Sequence, residues 1–354
     1  MPVAVRSLWQ EALERRAYSL RVGMRLPWSE IAERLELSGE SVARAYANRF
    51  VQREGLPPLT APNPRRQAAA QVALQARFGR VRPQAIGLRT FGVEIEYVGG
   101  IPQATVARKL EQALGVAHIH NFAYHGKQCL TCRETVTDAY KQWKVEQDGT
   151  VHGEVVSPIL QGQAGFDQIK IVMKAMKEIG CKVNRQCGLH VHLGMKDMDR
   201  DQRILFIKQW YANQAVIKRF VDKYRQRNQY CADQSPQQVE RMVNYIERGV
   251  DPDRDQVQRT ASLNITPFKK IGTYEVRLHG GTLNPKKITT WIKFLMAFIE
   301  FSVQLDGQPI PNETQDELNF LDYLTKEIPN KTNLFKQQDA EYMKQRALQL
   351  AGRR

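Results

Sequence analysis

The sequence predicts an α+β fold preceded by a small all-helical domain, and three observations carry that expectation. Stretches with the two-residue period of a strand recur between residues 91 and 279, runs with helical spacing separate them, and the charge composition breaks near residue 90. Residues 1–90 hold fifteen arginines, seven glutamates and neither lysine nor aspartate, a balance of +8; the remainder carries every lysine and a balance of +7. Such a break marks two joined modules. The total of +15 favours anionic partners such as nucleotides or nucleic acid.

At 354 residues and 42% hydrophobic content the chain has enough apolar surface for one sizeable domain and a smaller one. No apolar run reaches the roughly 18 residues of a membrane span. Met1 to Leu20 carries Arg6, Glu11, Glu14, Arg15 and Arg16 with no signal-peptide core, so a cytoplasmic chain without membrane association is expected. Five cysteines, an odd number, then suit free thiols or metal ligands better than a disulfide framework.

In chain order, Ser7 to Ala17 has a short helical pattern with Leu8, Leu13 and Tyr18 inward. Trp28, Ile31, Ala32 and Leu35 share one helix face. Leu37 to Gly39 make a turn with Ser38 as the expected N-cap, and Val42, Ala45, Tyr46 and Phe50 share a second face. The pattern is that of a helix-turn-helix over residues 1–54, although Glu36 stands where the turn glycine usually does. Its second helix presents Glu40, Ser41, Arg44, Asn48 and Arg49 outward, suited to base edges and phosphates. A three-helix bundle that docks protein is the alternative. Pro57, Pro58, Pro62 and Pro64 then open a Pro/Ala/Arg-rich linker over residues 55–87, and a catalytic unit is expected over 88–354.

The first strand, Phe91 to Tyr97, sets Phe91, Val93, Ile95 and Tyr97 on one face and Gly92, Glu94 and Glu96 on the other. Two residues along a strand span about 6.6 Å, so the two carboxylates can bracket one ion or serve two. Thr105 to Leu114 reads as a helix. His118, His120, His125, Cys129 and Cys132 follow. Cys129 and Cys132 have the spacing of a zinc knuckle that histidines could complete, with a reactive dithiol or plain loop residues as alternatives. Trp143 to Thr150 reads as a strand entering a turn, Gly153 to Pro158 as a strand bearing Glu154, and Phe166 to Ile179 as a core-facing helix.

Cys187 to Gly194 is the organising stretch: Leu189, Val191 and Leu193 alternate with His190 and His192, so both imidazoles point the same way. Asp201 to Val221 is a long helix, followed by Arg225, Arg227, Tyr230 and Cys231. Arg259 to Asn264 precedes a third alternating strand, in which Glu275, Arg277 and His279 oppose Tyr274, Val276 and Leu278. Asn284 caps a helix with Pro285 at its first position, and the rest reads as structural helices that include Leu318, Leu321 and Leu324. Solvated strand faces are usually Lys, Thr, Ser and Gln. These three carry carboxylates, imidazoles and an arginine instead, the set for a divalent-metal and phosphate site.

Phe91 to Glu96, Asp148 to Thr150, Gly153 to Pro158, Cys187 to Gly194, Arg225 with Tyr230 and Cys231, Arg259 with Asn264, and Thr273 to Leu283 together resemble the amidoligase family of glutamine synthetase-like carboxylate–amine ligases. The resemblance implies a twisted antiparallel sheet with flanking helices and an active site on its concave face. It also implies a ligase that uses ATP with Mg²⁺ or Mn²⁺ to activate a carboxylate as an acyl phosphate for attack by an amine. By that resemblance Glu96 and Glu154 hold one metal, and Glu94, His190 and Glu275 the other. His192 contacts nucleotide phosphate, with Arg259 and Asn264 also on the nucleotide side. Glu275, Arg277, Arg225 and Arg227 serve catalysis. A DNA-binding regulator that senses a ligand and a metal-dependent hydrolase are the competing readings; the joint presence of Glu94, Glu96, Glu154, Glu275 and Arg277 disfavours both.

Overall fold

A computed structural model describes residues 13–14, 17–18, 21, 27–35, 37–56, 89–137, 140–305, 307, 310, 317–331 and 334–352. Ser7, Leu8, Glu36, most of the expected linker and the side chain of Leu318 lie outside the described residues.

In the N-terminal segment, α1 (Trp28–Arg34) and α2 (Glu40–Arg53) pack with Ala17 and Tyr18 into a core of their own. Of the expected face of α1, Ile31, Ala32 and the following Leu35 are buried and Trp28 is partly covered. On α2 the seam runs through Ala43, Ala47, Phe50 and Val51, while Val42, Ala45 and Tyr46 are only partly covered. The seam contains two alanines, whose small side chains admit a close helix crossing. Gly39, not Ser38, is the N-cap, and no side chain caps the helix. Glu40, Ser41, Arg44, Asn48 and Arg49 are exposed as expected. Glu14, almost fully buried, is neutralised by Arg49 at 2.8 Å and Arg53 at 2.5 Å.

The rest is built on one eight-stranded sheet. Its elements are β1 (Thr90–Tyr97), α3 (Gln103–Leu114), β2 (His120–Phe122), β3 (Lys144–Glu146), β4 (Gly153–Val156), β5 (Leu160–Gln161), α4 (Gly162–Glu178), β6 (Gly188–Gly194), α5 (Arg200–Ile217), α6 (Lys223–Gln226), α7 (Pro236–Glu247), β7 (Leu263–Asn264), α8 (Phe268–Ile271), β8 (Thr273–Gly280), α9 (Pro285–Gln304), α10 (Glu317–Lys331) and α11 (Gln337–Ala351). The strand order is β2-β3-β4-β1-β6-β8-β7, with β5 paired to β1. The β2–β3 pair is parallel and the other ladders among the described residues are antiparallel, so the sheet is mixed at one edge.

The strands' period of two sorts their side chains. Phe91, Val93, Ile95 and Tyr97 of β1 join Leu189, Val191 and Leu193 of β6 and Tyr274 and Val276 of β8 in one core with α4, α5 and α9. Phe91 stacks on Phe166 of α4 at 5.1 Å, and Phe206 of α5 packs edge-on against Phe298 of α9 at 6.4 Å. Asn284 caps α9 as predicted, its Oδ1 accepting from Lys286 and Lys287 N–H, with Pro285 in first place. Arg89 pins the start of β1: its guanidinium, 4% exposed, binds Asp197 at 2.8 Å, Glu300 at 2.6 Å and the Gly194 carbonyl at 2.5 Å.

One expectation is overturned by the register of β8. Val191 pairs with Val276 but Leu189 pairs with His279, so Arg277 and Leu278 together oppose the single residue His190. This bulge reverses the alternation beyond it. His279, predicted on the reactive face with Glu275 and Arg277, lies instead under α9, its ring 5.5 Å from Trp291. There burial pushes its imidazole down to about 4, although the Gly280 carbonyl and Asp222 favour the proton.

Because the unfolded imidazole protonates near pH 6.5, the unfolded chain binds more protons than the folded one between pH 6.5 and about 4. Stability therefore falls as pH drops through that window, by on the order of 2–3 kcal/mol from this group. Urea unfolding at pH 7 and pH 4.5 is expected to show a smaller acid loss, by about that amount, in His279→Gln than in the wild type.

Candidate active site

The polar face of the four central strands is assembled by register. Glu94 of β1 lies opposite His190 of β6, Glu96 opposite Glu154 of β4, and His192 opposite Glu275 of β8, which in turn pairs with Asn264 of β7. Residues far apart in sequence thus become cross-strand neighbours. One donor atom each from Glu94, His190 and Glu275 lies within 4.8 Å of the others.

His190, 4% exposed, is the hub. Its Nδ1 is 3.0 Å from Glu94 Oε2 and 3.5 Å from Glu275 Oε1, and its Nε2 is 3.5 Å from Glu96 Oε1. Glu96 Oε2 accepts from the Gly188 N–H at 2.6 Å. Gly188 has a steric reason to be glycine: a Cβ there would stand 2.9 Å from His190 Nε2 and 3.3 Å from Arg225 Nη2. His192 is held at both ends, by Glu94 Oε1 at 3.1 Å from Nε2 and by Thr273 Oγ1 at 3.0 Å from Nδ1.

The charges are strongly coupled. Burial disfavours ionisation of Glu94, but hydrogen bonds with His190 and His192 hold its carboxyl well below the usual range. Burial likewise works against a charge on His192, and Glu94 more than offsets it, raising the imidazole above its ordinary value. Glu154 goes the other way: burial, with the charges of Glu94, Glu146, Asp148 and Glu96 around it, pushes it well above the carboxylate range. A buried carboxylate cluster that lacks enough positive charge is one that a divalent cation would stabilise.

The predicted arginines separate into three kinds. Arg277 pairs with Glu275 and donates Nε–H to the Tyr230 carbonyl at 3.2 Å. Arg225, 2% exposed, donates to the backbone carbonyls of Arg277 at 2.6 Å and Leu278 at 3.4 Å, which are the two bulge residues. Arg227 and Arg259 are exposed. Asn264 is buried, donating to Glu275 Oε2 at 2.7 Å while its own oxygen accepts from Thr266.

Beside the cluster opens a cavity of about 490 Å³, with Glu94 and His192 in its wall beside Phe91, Val93, Pro158, Ile159, Ile271, Lys196 and Lys270. Sequence reasoning assigned no role to Thr273 or Asp148, although both fall in stretches that carry the resemblance, and passed over Lys196, Lys270 and Glu146. Thr273 sits one residue before the alternating stretch, and the two lysines lie in segments without periodicity, so only Glu146 and Asp148, in a predicted strand and turn near Glu154, left a signal in the pattern.

Residues 88–299 match a family model described as "Putative amidoligase enzyme". No curated protein matches the chain. Among solved structures it is similar to a bifunctional glutathione synthetase from Pasteurella multocida, at 11% identity and a TM-score of 0.39, over 75% of this chain and 47% of that one. It is also similar to the complex between the prokaryotic ubiquitin-like protein Pup and its ligase PafA, at 9% identity and a TM-score of 0.34, over 76% of this chain and 64% of that one. The chain thus spans about half to just under two thirds of the length of those solved chains.

With divalent ions chelated, histidine NMR is expected to show His192 titrating above 6.5, its ordinary value. In Glu94→Gln the neighbouring charge is gone while burial remains, so the His192 midpoint should fall below 6.5. A midpoint unchanged by that substitution would mean that Glu94 does not hold the ring's proton.

Proposed function

Because this chain belongs to the amidoligase family, by a match that takes in every strand bearing the clustered glutamates and histidines, we propose that it is an ATP- and divalent-metal-dependent ligase joining a carboxylate to an amine. The carboxylate oxygen bonds to the γ-phosphorus as ADP leaves, and the amine nitrogen then displaces phosphate from the acyl phosphate. The observation that carries this reading is the Glu94, His190 and Glu275 triad, with Glu96 and Glu154 paired beside it and a ligand-sized cavity adjoining.

The donor set suits hard ions. Glu94, His190 and Glu275 would hold one Mg²⁺ or Mn²⁺ and Glu96 with Glu154 a second, and their chemistry when bound is to neutralise phosphate oxygens. One imidazole among several carboxylates also argues against a hydrolase built on histidine ligands. The chain's own residues do the rest. His192, whose proton Glu94 favours, stands in the cavity wall and faces nucleotide phosphate, and Lys196 and Lys270 add positive charge to the same cavity. The apolar residues of that wall accept the base. Arg277 stabilises the transferred phosphoryl group, where fixed positive charge acts most strongly in a water-poor site. Arg225 and Asn264 are assigned as positioning residues for the β8 bulge and for Glu275, and the exposed Arg227 and Arg259 as contacts for the substrate carboxylate and for the nucleotide respectively.

The N-terminal helices are proposed to localise the enzyme on DNA, supported by the exposed Arg44, Asn48 and Arg49 on α2. Binding to duplex DNA by the full chain, followed by fluorescence anisotropy, should weaken steeply with salt and weaken further in the Arg44→Ala, Asn48→Ala double variant. Salt-insensitive or absent binding turns the assignment to protein docking.

For the ligase, Glu275→Gln and His190→Ala are each expected to lower divalent-dependent ATP turnover by at least about 100-fold. Thermal unfolding and circular dichroism of both variants should still report a folded chain. Turnover like the wild type's in both would reject the proposed site.

A further inference from the structure

A second cluster stands apart from the glutamates. His118, His120, Cys129 and Cys132 offer donor atoms that all lie within 4.8 Å of one another, and both thiols are free. His118 comes from the α3–β2 connection, His120 from the start of β2, and both cysteines from the excursion between β2 and β3. That excursion is long and is held to β2 by little backbone pairing, chiefly the Phe122 to Cys129 bridge. Among its described residues the excursion has one internal pairing, the Gln128 to Thr135 bridge, and no named helix or strand, so a loop of that length gains from another tie.

We propose that these four residues bind a structural zinc ion. Each sulfur faces an imidazole nitrogen at the edge length of a zinc tetrahedron: Cys129 Sγ is 3.5 Å from His118 Nε2, and Cys132 Sγ is 3.6 Å from His120 Nδ1. Bonds of about 2.3 Å to sulfur and 2.0–2.1 Å to nitrogen at tetrahedral angles give an edge of about 3.6 Å. The surroundings match a zinc site on both sides. His118 turns its other nitrogen, Nδ1, onto Glu111 Oε1 at 3.0 Å, the outer carboxylate that orients a ligating imidazole. The backbone N–H of Cys132 bonds Cys129 Sγ, and that of Glu134 bonds Cys132 Sγ, as thiolates require.

The turn itself is made for two sulfurs. Arg133 N–H donates to the Cys129 carbonyl at 3.0 Å, and Arg133 takes a left-handed φ of 66° to bring the second sulfur round. A redox dithiol fits less well: only Cys132 is exposed, Cys129 has no exposed surface, and a dithiol leaves the approach of His118 and His120 to the two sulfurs without a role. Two nitrogens and two sulfurs within 4.8 Å of one another select zinc over the hard ions suited to the glutamates. The ion holds the excursion on edge strand β2. Tyr124 of that excursion packs on Gly149, next to Asp148, so the tie extends to the turn leading into β4.

Zinc content of the dialysed full-length protein, measured by plasma mass spectrometry, tests this independently of ligase activity. Wild type and Glu275→Gln should each carry about one zinc per chain, and the Cys129→Ser, Cys132→Ser double variant roughly a tenth or less. If that variant does not fold, wild type produced with cobalt decides, by the thiolate charge-transfer band and visible absorption of tetrahedral Co²⁺. Zinc-free wild type, zinc retained in the double variant, cobalt without thiolate absorption, or a Cys129–Cys132 disulfide in protein purified without reductant would overturn the proposal.

Discussion

The structure depends on one half-buried carboxylate shared between two imidazoles. Glu94 faces His190 through one oxygen and His192 through the other, across a single antiparallel ladder. A charged glutamate and two histidines under a sheet would be costly if unpaired. Paired, they define the register of β1 and β6, because a slip of β6 by one residue would drive both imidazoles into the aliphatic core and bring Val191 out.

Around that pair the fold also supplies supports. Gly188 leaves room for the His190 ring, Asn264 orients Glu275, and Thr273 fixes His192. Arg225 spends its hydrogen bonds on the carbonyls of the β8 bulge. That bulge lets Glu275 and Arg277 face the cluster while His279, two residues on, enters the opposite core. The polar face is thereby concentrated at the middle of the sheet, and the rigid β1, β6 and β8 strands hold the reactive geometry better than loops would.

Two smaller units are added to this frame. The N-terminal helices close on their own core of alanines and aromatics, with Glu14 tying α2 through Arg49 and Arg53. At the far edge of the sheet, the Cys129–Cys132 turn folds back on His118 and His120. Each answers the same constraint, that a segment too small to bury much apolar surface needs a specific polar tie.

What the sequence determined by itself is the sorting of faces. The period of two in Phe91 to Tyr97 and in Cys187 to Gly194 can be satisfied only by strands with aliphatics on one side and Glu94, Glu96, His190 and His192 on the other, and the helical spacing in Phe166 to Ile179 forces a helix on the aliphatic side. Tertiary structure alone decided the pairings: that Glu94 meets His190, that Glu154 sits among four acidic neighbours and that Arg225 reaches backbone carbonyls. It also decided the fate of His279, because a bulge is a property of two strands in register and leaves no mark on the alternation of one. Periodicity records which way a side chain points; which partner stands there depends on a neighbouring strand tens of residues away.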